Sequence, residues 1–174
     1  MYKRQVSNSI AAINVADPSS PSRVGGIIDG TNLDNPRGIV YEASGDLLFV
    51  ACYDGDALTV LSVADDAASP VVLGSVSSTS YMDAALYVAS VPAAGLVFVT
   101  GGSSDSVCVV DVSDPSTPTV VEGLVDSTYM NGAYGIAWDP AAKLLFATGY
   151  TSDSLAVMSV AGTVAKHLAP TPSP

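Results

Sequence analysis

"VCVVDVSDPSTP", residues 107–118, pairs an apolar half with a half made of Asp, Pro and hydroxyl residues. The chain carries looser copies as "IAAINVADPSSP" at 10–21 and "LTVLSVADDAASP" at 58–70. The apolar half suits a strand. In the polar half, Asp17 or Asp114 can bond its own backbone to make a turn, and Pro18 or Pro115 presets the next dihedral. Pro21, Pro70 and Pro118 then open another extended segment. A proline there loses no ladder bond if the segment is an outer edge, and it discourages pairing with other molecules. The phrase therefore reads as a strand, a turn and an edge strand.

Outward from the phrase, the chain repeats. Phe49, Phe98 and Phe146 are 49 and 48 residues apart, and Val15, Val63, Val112 and Val160 are spaced by 48, 49 and 48. Periods of this length mark solenoids, propellers and similar arrays. No stretch sustains a helical period, whereas four strand-type segments recur in each unit. They are expected at 38–43, 47–53, 57–64 and 71–76, then at 86–91, 96–101, 106–113 and 119–125. The second segment of each unit, "LLFVACY", "LVFVTG" or "LLFATGY", is apolar on both faces and must be covered on both. Radially stacked blades do this to their middle strands. The predicted fold is all-β: a β-propeller of about three and a half four-stranded antiparallel blades, a partial ring.

"VVDVSDPSTPTVV" resembles the signature of the LVIVD-repeat β-propeller family, with "INVADPSSPSRVG" and "LSVADDAASPVVLG" as looser copies. The resemblance runs from about Val6 to Leu168. It implies a secreted or cell-surface propeller, often part of a larger protein, with no common catalytic motif. The last unit departs from the pattern, because "MSVAGTVAKHLAP" lacks the phrase and puts the fourth strand of that blade in doubt.

Blades are expected at about 6–30, 31–79, 80–127 and 128–169, the first supplying only third and fourth strands. A partial ring needs closing, by further blades of the same chain or by a second copy. "MYKRQ", residues 1–5, fits no repeat position and back-translates, from a GTG start, to a run resembling a transposon-end adapter. It reads as a non-native scar, with a genuine N-terminus as the alternative. "APTPSP" at the other end favours an extended tail or linker over 170–174.

Six Lys+Arg against 17 Asp+Glu give a net charge of -11, which repels phosphate backbones and argues against nucleic acid as a partner. Residues 84–102 are uncharged and long enough to span a membrane, but "PAAG" breaks them, so two strands and a turn are expected instead of membrane insertion. Cys52 and Cys108 each sit in an apolar run, where a small buried thiol is expected; a bridge between them is the less favoured alternative.

Few residues point to chemistry. His167, the only histidine, lies beside the tail and reads as solvated. "YDGDA" at 53–57 has oxygen ligands without a calcium-loop pattern, and "GGSSDS" lacks the lysine of a phosphate loop, so both read as hairpin turns. The best candidate comes from the repeat. "TNLDNPRG", "SYMDAALY" and "TYMNGAYG" precede successive first strands, which are innermost in a propeller, and offer a hydroxyl (Thr31, Ser80, Thr128) and then Asp34, Asp83 or Asn131. Such residues would ring one mouth of the channel and suit a polar ligand or a divalent cation. The plainer and favoured alternative is that Asp and Asn close the loops. Tyr81 and Tyr129 beside them would make an exposed aromatic patch, with Arg37 as the nearby positive charge. No cofactor is otherwise expected. The expected function is a non-catalytic binding or scaffold module, extracellular or at the cell surface, recognising a protein or glycan through loops on one face. The rival is a lactonase-like or metal-dependent hydrolase completed by other blades.

Overall fold

Strand-forming runs separated by Gly, Asp and Pro turns become thirteen strands in the computed structural model, which describes residues 7–160. The expected scar, His167, a fourth strand of the last blade and the proline-rich tail lie outside these residues. Strands β1 (Ser9–Asn14) and β2 (Ser22–Ile28) form the first sheet. The second runs in the order β3 (Pro36–Glu42), β4 (Leu47–Cys52), β5 (Ala57–Ser62) and β6 (Val71–Ser77). The third repeats it with β7 (Ala85–Val91), β8 (Leu96–Gly101), β9 (Ser106–Asp111) and β10 (Thr119–Val125). Strands β11 (Ala133–Asp139), β12 (Leu144–Gly149) and β13 (Ser154–Ser159) make the fourth. Every pairing is antiparallel between consecutive strands, so each sheet is a meander and a propeller blade.

Strand β8 shows why the second strands are apolar throughout. Val97 and Val99 point toward Phe49, Leu58 and Val60 of the blade before, while Leu96 and Phe98 point toward Leu145, Ala147 and Ala156 of the blade after. Alternation of side chains across a strand therefore feeds two cores, not one core and solvent. First strands β3, β7 and β11 lie side by side, as inner strands of adjacent blades do.

The repeated phrase has a second structural role. Carboxylates of Asp17, Asp66 and Asp114 accept the N–H of the residue two positions on, at 3.0, 2.9 and 2.9 Å. These bonds, with those from the Ser19 and Ser116 hydroxyls, hold the Asp17 and Asp114 carboxyls below their ordinary range. The resulting turn then packs on the outer strand of the preceding blade. Gly26 donates to the Ala68 carbonyl at 2.8 Å, and Gly74 lies under Ser116 and Pro118. Pro21, Pro70 and Pro118 fall one residue before their strands rather than inside them, and the last two are buried.

Residues 84–102 form β7, a single 3-10 turn at Pro92–Ala94 and β8, and no helix among the described residues is long and apolar enough to cross a membrane. Cys52 and Cys108 are buried and unbridged, in different inter-blade cores. Burial pushes the Cys52 thiol up to about 11 and that of Cys108 up to about 12, from an ordinary 9.0. Because the folded values are raised, the thiols' contribution to stability is complete below pH 9 and is lost as pH climbs through the folded values. A thiol reagent at about pH 8 should label neither cysteine in the folded chain and both in concentrated urea. Labelling of either at the free-thiol rate without denaturant would contradict this burial.

Candidate functional site

The loops leading into each inner strand are built from a common set of bonds. Carbonyls of Asp29, Ser78 and Asp126 accept the N–H of Leu33, Met82 and Met130 at 3.0, 2.7 and 2.7 Å, closing one turn. The Asp29 and Asp126 carboxylates also take the N–H groups of Thr31 and Asn32, and of Thr128 and Tyr129. Bonds from the Asn32 side chain and from these N–H groups hold the Asp29 carboxyl below its ordinary range. Leu33, Met82 and Met130 are fully buried, each plugging the core between its blade and the one before.

After the plug, the chain passes through a left-handed residue, Asn35, Ala84 or Gly132, with φ of 52, 57 and 64°. Its N–H is taken by a side chain that directly precedes a strand of the preceding blade: Asn8, just before β1, at 3.1 Å, and Asp56 and Asp105, in the hairpins before β5 and β9, both at 2.9 Å. Asp56 and Asp105 are themselves left-handed at 47 and 50°, a conformation Asp tolerates. Asp153, at 49°, holds the same hairpin position in the last blade. Blades are thus latched from hairpin to loop, in one direction along the ring.

Each inner strand then opens with an irregularity. The register shifts between Pro36 and Ile39, Ala85 and Val88, and Ala133 and Ile136, all at the same end of the inner strands. A bulge releases the ladder and re-aims a side chain, and bulges are frequent beside functional sites. Thr100, fully buried, accepts the N–H of Tyr87 at 3.0 Å and donates to the Tyr134 carbonyl at 2.7 Å, tying two inner strands together. Thr148 accepts the N–H of Gly135 at 2.9 Å, a bond within its own blade.

The bulges aim Arg37, Leu86 and Tyr134 into an open cup of about 350 Å³, lined also by Tyr53, Ser103 and Tyr150. The Arg37 guanidinium lies over the Tyr53 ring, 5.0 Å from its centroid. Tyr134 meets Tyr87 at 5.0 Å and Tyr150 at 6.1 Å, both tilted. The Tyr134 hydroxyl beside it holds the Tyr87 phenol above its ordinary range, and Arg37 pulls the other way. Aromatic faces beside a fixed guanidinium suit a ligand with both apolar and polar edges.

Of the residues expected at this mouth, Arg37 alone lines the cup. Thr31, Ser80 and Thr128 are exposed on the loops, and Asp34, Asp83 and Asn131 are half-buried. Asp34 accepts from the Asn8 amide at 3.4 Å, and the carbonyls of Asp83 and Asn131 each accept a hairpin N–H at 3.0 Å. No group of three or more His, Cys, Asp or Glu side chains that could hold a metal ion forms among the described residues. Of the expected aromatic pair, Tyr81 is half-buried against Gly123 and the core between the second and third blades, while Tyr129 is exposed beside Met130 and Leu155. Tyr53, Tyr134 and Tyr150 went unpredicted. Their signal was available in the register: the mouth positions read Arg37, Leu86, Tyr134 and Tyr53, Gly102, Tyr150, varying where the framework repeats.

No family model matches the chain, and no curated protein matches it. Solved structures do. A protein of unknown function from Desulfotomaculum acetoxidans superposes with a TM-score of 0.69 at 19% identity, over 91% of this chain and 50% of its own. A proposed 6-phosphogluconolactonase from Bacteroides uniformis gives 0.69 at 14%, over 87% and 47%. The periplasmic gluconolactonase of Pseudomonas aeruginosa gives 0.62 at 14%, over 88% and 51%. The chain thus spans about half the length of these proteins. At such identities the likeness shows the fold alone, and that fold is the β-propeller.

Proposed function

We propose that the chain is a non-catalytic binding module that takes a glycan at the aromatic cup on the channel mouth. The observation that carries this reading is the convergence of Arg37, Tyr53, Tyr134 and Tyr150 on one cavity, at bulged strands on a rigid scaffold. Sugar rings present apolar C–H faces to stack on tyrosine and hydroxyl edges to bond, which is the mixed character the cup offers. The family resemblance supports a secreted or cell-surface setting, where glycans are met. An array of immobilised glycans should retain the full chain, and Tyr134→Ala should weaken retention about tenfold, the loss of one stacked ring. Retention by a protein ligand alone, or an unaffected Tyr134→Ala chain, would overturn the glycan reading. A lactonase-like activity is the second reading, supported by the likeness to the gluconolactonases. Turnover of gluconolactone by the full chain above the uncatalysed rate would establish it.

A further inference from the structure

Resting on the glycan reading, the position of Arg37 narrows the ligand class: we infer that the cup selects a sugar bearing a carboxylate, a uronic acid residue, with Arg37 as its anchor. Arg37 is the only basic side chain lining the cup, and it stacks on Tyr53 and acts through space on the Tyr87 phenol. That stack holds one face of the guanidinium and leaves its edge, a planar fork of N–H donors, for a carboxylate. In a chain of net charge -11, no carboxylate of the protein takes that edge among the described residues.

Three carboxylates of the loops beside the cup already hold partners of their own. Asp56 and Asp105 turn an oxygen onto the N–H of Ala84 and Gly132, and Asp54 accepts from the Asn35 amide at 3.0 Å. Their charge reaches the cup through solvent and is screened over about 8 Å at physiological salt, whereas a carboxylate in contact with Arg37 is not. The cavity, about 350 Å³, is at the small end of ligand clefts and holds one or two sugar rings. One ring laid on Tyr134 and Tyr150 would place its carboxylate toward Arg37 across the cup.

The test is calorimetric titration of the full chain with three oligosaccharides of equal length: an oligogalacturonate, its methyl ester and a neutral oligogalactan. The oligogalacturonate is expected to bind about tenfold or more tightly than the ester, a charge-assisted bidentate bond against a neutral one. Arg37→Gln should bring its affinity down to that of the ester and weaken the neutral sugar by a smaller factor, at an unaltered unfolding midpoint. Arg37→Lys, which keeps the charge and loses the fork, should fall between. Equal affinity for acid and ester, or an Arg37→Gln chain that binds the acid as before, overturns the inference while binding of the neutral sugar keeps the glycan reading. A folded chain that binds none of the three overturns both.

Discussion

A Phe98→Ala chain is expected to lose about 3–5 kcal/mol of stability, read from the midpoint of urea unfolding at unchanged slope. Phe98 is 0% exposed and sits on the face of β8 turned toward the last blade, 5.9 Å from the Trp138 ring. Both walls of its site are sheets pinned by latches and bulges, so the hole left by truncation closes only in part. Phe146 is the same residue at the same place in the repeat, yet it is half-buried. Phe146→Ala should cost less, about 1–2 kcal/mol, in line with the smaller area it removes from water. Equal losses at the two positions would show that repeat position, rather than coverage by the next blade, sets the energy.

Gly74→Val is the second large effect. A Cβ at this position would lie 2.6 Å from the Ser116 carbonyl oxygen, 2.8 Å from the Pro118 ring and 2.9 Å from the Pro115 carbonyl oxygen. None of these is the free end of a side chain, so relief requires the turn of the third blade to lift off β6. The expected cost is about 3 kcal/mol, the upper end of overpacking in a tight site. Gly30 is the control, since a Cβ there meets nothing nearer than the Asn8 amide at 3.6 Å. Gly30→Ala should stay within about 0.5 kcal/mol of the parent. If Gly74→Val unfolds no earlier than Gly30→Ala, the turn does not bear on the outer strand as described.

The framework was legible because its causes are local or periodic. Recurring strand-type runs without a helical period gave the strands, Asp17 and Asp114 gave the turns, and residues apolar on both faces, such as those of β8, required a sheet on either side. Longer reach was not legible. "YDGDA" reads correctly as a hairpin, but nothing in those letters tells that Asp56 reaches a backbone N–H 28 residues further on. Thr100 passes for one more member of an apolar run until two inner strands claim its hydroxyl. The loops before the inner strands follow the same logic. Thr31, Ser80 and Thr128 drew notice by recurring, yet recurrence in a repeat marks what every blade needs in order to fold. Arg37 recurs in neither later copy, and a position free to differ between copies is one that can be given over to a ligand.

The latches also bear on how such a chain changes over generations. Each described junction is made of the same two halves, a side-chain acceptor just before a strand and a left-handed loop N–H, and the second and third blades carry one of either kind. An unequal crossover that adds or removes one period of 48 or 49 residues therefore breaks no junction, because the new neighbours present the halves the old ones did. Blade number can drift by whole units within a lineage, held only by the angle at which the ring must meet itself, while the mouth residues of each gained blade start as duplicates and are free to diverge.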